Sequence, residues 1–345
     1  MMKFLHPVFF TAVVLLLAGC GQDKPATSAP QAASDQKVVV YSARAEHLIK
    51  PLFDSYTAKT GVKVEYITDN AGSLLARLGS EGASTPADLL LTVDVGNLWH
   101  ASQQGVLQPV QSDVLNANIP AHLRDPENRW FGLTRRARTI VYASDRVKPE
   151  QLKNYADLAD VEWQGRLCLR TSKKVYNQSL VASFIAHLGE EATAAILRGW
   201  VANLAVAPFA NDTAAMEAVL AGQCDVTIVN TYYFGELEAA GKAGSLKIFW
   251  PNQANTGVHI NISGAGITKH SKRPEAALAL LEWLSSEEAQ GMLAGLNLEF
   301  PVHPAVESVQ QVKDWGEFLA DTLPLSKVAE QQVPAVRLID QVGYQ

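Results

Sequence analysis

The feature that most constrains this chain is the steady alternation of short β-branched runs with helical stripes. Lys37-Val38-Val39-Val40-Tyr41-Ser42 reads as a strand;. Residues 46–59 carry Leu48, Leu52, Phe53 and Tyr56 on one helical stripe, and Gly61 stops it;. Residues 62–67 alternate as a strand, 73–81 read as a helix, and 87–93 are an apolar strand. Asp94 then suits the cap of a helix over 98–104;. After residue 140 the rhythm restarts. It gives a strand over 165–170, helices over 179–188 and 191–204, and a helix over 214–221 capped by Asp212. Strands over 226–229, 247–250 and 258–262 follow, and helices over 274–284, 286–293 and 335–341 fill the rest. A βαβ rhythm predicts α/β lobes, each a mostly parallel sheet flanked by helices. The 345 residues suffice for two cores;. Residues 130–143 and 257–267 read as extended hinge connectors between the lobes.

The N-terminus reads as an address. Lys3 precedes an apolar stretch over 8–18 that is interrupted only by Thr11 and is too short to span a bilayer comfortably;. It ends in Leu17-Ala18-Gly19-Cys20, which resembles a bacterial lipobox, where the cysteine becomes the lipidated first residue. Residues 1–19 are thus expected as a signal peptide, and 20–36, rich in Pro, Ser, Ala and Gly, as a flexible tether. The expected location is the periplasm, with membrane contact only through a lipid on Cys20. Export makes a Cys168–Cys224 disulfide the favoured expectation over two buried thiols. With 29 Lys+Arg against 35 Asp+Glu the net charge is −6, and loss of Lys3 on cleavage leaves −7. That balance argues against a nucleic-acid partner.

Ligands of open α/β sheets bind in the loops after the strands. Three of the nine tyrosines fall there: Tyr176 after strand 165–170, and Tyr232 with Tyr233 after strand 226–229. On a strand the adjacent pair would face opposite ways. In the first turn of a helix capped by Asn230 or Thr231 they would sit about 100° apart and border one cleft. A hard trivalent cation can displace phenol protons, and three phenolates would balance three positive charges. The competing interpretation is an aromatic patch that packs on the other lobe or stacks on an organic cation such as thiamine or a polyamine.

Arg44, Arg136 and Arg138 are candidates for holding a small oxyanion, with interlobe salt bridges as the alternative. Glu46 and His47 are candidate additional ligands, or the acid and base of an exported hydrolase, although no nucleophile motif accompanies them;.

Together these residues resemble the ferric-ion-binding solute-binding proteins of bacterial iron ABC importers. The resemblance runs over 37–340. It is carried by Tyr41-Ser42-Ala43-Arg44, Thr85-Pro86-Ala87-Asp88, Arg136-Ala137-Arg138, Tyr176-Asn177-Gln178-Ser179-Leu180, Asn211-Asp212-Thr213, Asn230-Thr231-Tyr232-Tyr233, Pro251-Asn252-Gln253 and His259-Ile260-Asn261-Ile262-Ser263-Gly264. It implies a two-lobed type II periplasmic binding protein that is a carrier rather than an enzyme. The implied lobes are 37–135 plus 260–310, and 136–259 plus 311–345. Tyr176, Tyr232 and Tyr233 are implied as Fe³⁺ ligands, Arg44 and Arg136 as holders of a synergistic anion such as carbonate, and an ABC permease as the partner of a monomer. Family members often continue Tyr-Ser-x-Arg with His-Tyr, where this chain has Ala45-Glu46. That departure leaves Glu46, His47, the anion or water to complete the shell.

Overall fold

In the computed structural model, which describes residues 37–345, the sequence rhythm becomes nine strands in one hydrogen-bonded sheet, seven on a single path and two more paired to the side of its long central strand. The expected signal peptide, Cys20 and the tether lie outside the described residues. Strands β1 (Lys37–Ser42), β2 (Lys63–Thr68) and β3 (Leu89–Val93) pair in parallel, with β1 in the middle. The helix Glu46–Thr60 crosses between β1 and β2. It buries Ile49, Leu52, Phe53 and Tyr56, a spacing of three and four residues;. Each fully buried side chain of this size contributes about 1.5–3 kcal/mol. Leu48, expected on that stripe, instead faces the interlobe cleft. Gly61 ends the helix in the left-handed region, φ 75°, where a side chain would be strained;.

Strand β4 (Phe131–Ala143) is the long connector. Two short strands follow, β5 (Leu167–Cys168) and β6 (Val226–Asn230), then β7 (Leu246–Phe249), β8 (Ile260–Ile267) and β9 (Phe300–Pro301). The first half of β4 pairs antiparallel with β8 from Phe131 to Ala137. Its second half pairs antiparallel with β6 from Arg138 to Tyr142 and with β7 from Ile140 to Ala143. The strand therefore leaves one half of the molecule and enters the other between Ala137 and Arg138. The chain goes out along β4 and returns along β8, so these two must run in opposite directions. That is why the sheets are mixed rather than mostly parallel: β1, β2, β3 and the β5–β6 pair are parallel, and every pairing of β4 and β8 is antiparallel.

One hydrophobic core gathers Val38 to Leu133 with Ile260 to Val302. Two adjoining cores gather Ile140 to Phe249 with the C-terminal helix Gln332–Val342. Cys168 and Cys224 are buried and joined in a disulfide with Cα atoms 5.9 Å apart. No helix among the described residues is long and apolar enough to cross a membrane.

Three local expectations shift. The helix after β5 starts at Val175 rather than 179, which draws Tyr176 from a loop into a first helical turn. Asp94 does cap its helix, but the helix begins at Val95. The cap of the helix Asp212–Leu220 is Asn211, whose Oδ1 accepts from Ala214 N at 2.8 Å. Asp212 is fully buried and serves a different purpose.

Candidate functional site

The ends of β1 and β6, the start of the helix Val175–Leu188 and the turn Asn297-Leu298-Glu299 converge on a cleft of about 280 Å³. Tyr232 and Tyr233 occupy the second and third positions of the helix Thr231–Ala239, with Asn230 at its N-cap. Their ring centroids lie 4.3 Å apart at 42°, so both border the cleft, as the helical alternative required. Tyr176 lines the same cleft, its hydroxyl beside that of Tyr232. Its ring is ringed by cations, with Arg136 at 5.4 Å, Arg170 at 5.3 Å and Lys174 Nζ at 5.4 Å from the centroid.

Burial pushes the Tyr232 phenol well above its ordinary range, and the neighbouring Tyr176 and Tyr233 oxygens add to this. Burial also raises Tyr176, with Arg136 pulling the other way. Both phenols therefore hold their protons at neutral pH, and a cation taken here must displace them. Among the described residues no cluster of three or more His, Cys, Asp or Glu could hold a metal. The three grouped donors this cleft offers a metal are thus phenolic, beside the separate side chains of His47, Glu236 and Glu299. Phenolic oxygens suit a hard, highly charged ion.

The arginines part company. Arg138 shares a small pocket with Arg136 but, expected as a holder of a small oxyanion, is instead fully engaged by protein groups. It donates to Asn177 Oδ1 at 2.5 Å, to Asn230 Oδ1 at 3.0 Å and to Asp212 Oδ2 at 3.2 Å. Asn177 follows Tyr176, and Asn230 caps the helix bearing Tyr232 and Tyr233. One buried guanidinium thereby fixes both tyrosine-bearing helices to β4. Asp212 also accepts from Asn230 N at 3.2 Å and balances Arg138, which explains its burial;.

Arg44 and Arg136 do reach the cleft. Ser263 Oγ accepts from both, at 2.5 Å from Arg44 and 3.4 Å from Arg136. Arg44 Nη1 also lies 2.9 Å from Glu299 Oε2, with both side chains almost wholly buried. Arg136 Nη2 lies 3.6 Å from Asp94 Oδ2 and is buried without a hydrogen-bond partner.

His47 borders the cleft, whereas Glu46 does not. Its carboxylate is exposed and accepts the Tyr66 hydroxyl at 2.9 Å, because Ala45 starts the helix and turns Glu46 outward over β2. The pairing of Glu46 with His47 at one site is therefore not realised. Three cleft groups were missed, Glu236, Lys174 and Glu299, and with them Asp94, fully buried beside Arg136. Glu236 faces His47, and burial raises its carboxyl while His47 pulls it down. Asp94 stands at φ 76°, rare for a non-glycine, and accepts from Gly96 N, Ser179 Oγ and Asn261 Nδ2;. An aspartate just past an apolar strand is a readable signal. Glu299 had none, since its neighbours in space are remote in sequence.

Comparison with known proteins adds to this geometry. Residues 42–291 match the family model described as bacterial extracellular solute-binding protein. Iron uptake protein A1 of Synechocystis is 44% identical over 343 residues, covering 97% of this chain and 95% of its own length. A Trichodesmium protein solved in complex with iron and citrate superposes with a TM-score of 0.86 at 40% identity, over 90% of this chain and all of that one. The ferric binding protein from Campylobacter jejuni gives 0.85 at 39% identity, over 89% of this chain and all of its own.

Proposed function

The chain belongs to the bacterial extracellular solute-binding proteins, in the company of ferric-ion-binding periplasmic relatives, and we propose that it binds Fe³⁺ in the cleft through the phenolate oxygens of Tyr176, Tyr232 and Tyr233 and hands it to an ABC permease. The observation that carries this reading is the convergence of the three phenols on one wall of the cleft, where no other metal-binding cluster exists among the described residues. Three phenolates offset the charge of the ion, and the cations around Tyr176 lower the cost of forming the first of them. The same cations repel an organic cation, which displaces no proton and gains nothing from phenolates, so the thiamine or polyamine reading is disfavoured. A hydrolase reading loses its acid, since Glu46 faces away.

The carrier works, on this proposal, by closing a lobe of 37–135 and 260–310 onto one of 136–259 and 311–345, which excludes water from the ion. It acts as an exported monomer, held at a membrane by a lipid on Cys20. Release follows reprotonation of the phenols or reduction to Fe²⁺, whose smaller charge weakens the bond. The test is titration of metal-free protein with ferric iron, read by visible tyrosinate absorbance and chelator competition. Tyr232→Phe and Tyr233→Phe each keep the ring and remove one oxygen, and each is expected to weaken iron binding by at least about a hundredfold while melting stays close to wild type. Unchanged affinity in both variants refutes the assignment.

A further inference from the structure

We propose that Glu299 is the resident anion of this cleft: its carboxylate fills the Arg44 site that a free oxyanion would otherwise need, so that ferric iron loads without an added anion. This rests on the ferric reading above and goes beyond it to the charge balance of the site.

Arg44 is the guanidinium at the end of β1, where the expected oxyanion would sit. In the structure its Nη1 is already spoken for by Glu299 Oε2 at 2.9 Å, Ser263 Oγ at 2.5 Å and Thr134 Oγ1 at 3.4 Å. Side-chain exposure of the ion pair is 6% for Arg44 and 3% for Glu299, so solvent does not compete for either;. Displacing Glu299 would leave a buried carboxylate without a cation, which the low-dielectric surroundings strongly oppose.

The backbone holds Glu299 where it is. The helix Glu287–Asn297 ends at Leu298, which adopts the left-handed region at φ 51°. That conformation is uncommon for leucine and marks a position fixed by its surroundings. The next residues form β9, which pairs with Thr134 and Arg135 of β4. Glu299 is thus pinned between a strained helix end and a strand, with its side chain lining the cleft. Its contact with Arg44 is one of charge, and Oε2 has no aligned hydrogen-bond donor, so that oxygen keeps capacity for a further partner.

Charge balance points the same way. Three phenolates match the ion. Glu299 matches Arg44, and Asp94 faces Arg136. Neither of these two guanidiniums is left without a carboxylate counter-charge that a free carbonate would have to supply.

The test has an iron-free arm and an iron arm. Metal-free wild type, Glu299→Gln and the double variant Arg44→Gln/Glu299→Gln are titrated with bicarbonate and with phosphate, followed by melting temperature and calorimetry. Wild type is expected to bind neither anion. Glu299→Gln uncovers Arg44 and is expected to bind phosphate at least about tenfold more tightly than wild type. The double variant buries no unpaired charge, so it keeps the proposal testable if the single variant folds poorly, and it is expected to bind neither. In the second arm, ferrous chloride is oxidised in air with the protein in bicarbonate-depleted buffer. Wild type should retain iron through gel filtration, with a visible band that bicarbonate leaves unmoved. Glu299→Gln should retain iron only once bicarbonate is supplied. A wild-type requirement for bicarbonate, or a Glu299→Gln protein with no gain in anion binding, overturns the proposal. Wild type that takes up no iron with or without bicarbonate overturns the ferric reading instead, and the iron-free arm still decides the role of Glu299.

Discussion

His259 lies just before β8, where the return connector begins, and is 3% exposed. Burial chiefly, then the charges of Arg138 and Arg136 and the proximity of His187, holds its pKa down at about 3, against 6.5 for a free histidine. Between those values the unfolded chain binds a proton that the folded chain refuses. Stability is therefore fully present above pH 6.5 and falls as pH drops towards the folded value. Each unit is about 1.4 kcal/mol, so at about pH 5 the loss from this one residue is roughly 2 kcal/mol. The assay is urea unfolding of metal-free wild type and His259→Gln at about pH 7 and about pH 5. Carboxylates elsewhere titrate alike in both proteins and cancel in the comparison. Wild type should lose roughly 2 kcal/mol more than the variant on acidification. Equal losses would show that His259 is either solvated or already charged in the folded state, and the reasoning would fail.

Two other outcomes follow from buried features. The Cys168–Cys224 bond closes a loop of 56 residues, for which loop entropy gives about 4 kcal/mol, so the double Ala variant should unfold at correspondingly lower urea;. An unchanged midpoint would mean the bond does not form in the secreted protein. Asp212→Asn removes the charge that balances Arg138 and should cost about 3–5 kcal/mol;. It should also weaken iron uptake, because Arg138 holds Asn177 and Asn230, and chelator competition alongside unfolding separates the two effects.

The elements were legible where side-chain period and burial coincide. Lys37–Ser42, the helix from Glu46 and the apolar Leu89–Val93 declare themselves within a few residues. The sheet's direction was less legible. Whether β4 and β8 run with or against β1 depends on where the chain must return, and no local pattern carries that. The start of the tyrosine helix was misjudged for a related reason. Lys174 gives no side-chain cap, and what starts the helix at Val175 is Asn177 donating to Arg170 O and Thr171 O while Arg138 holds its other end. Arg136 and Arg138 do share a face of the strand and meet at one small pocket, but no local pattern tells that the donors of Arg138 are taken up by Asn177, Asp212 and Asn230. β4 changes partners between Ala137 and Arg138.

That change of partners organises the site. Residues up to Ala137 answer to β8, so Arg136 projects among groups of the first half: Asp94, Ser263 and, through Ser263, Arg44. From Arg138 onward the strand answers to β6, and the next guanidinium is locked among Asn177, Asp212 and Asn230 of the second half. All three phenols hang from elements that Arg138 fixes or adjoins, so their spacing is set within one half of the molecule. On the ferric reading, donors and counter-charges are then divided between the halves. The second half can seize the ion while the cleft is open. The first half, through the neutral Arg44–Glu299 and Arg136–Asp94 pairs, can close over it without bringing in uncompensated charge. A carrier that must later surrender its cargo gains from this division, because opening removes the cover and leaves the three phenols together on one half for the next ion.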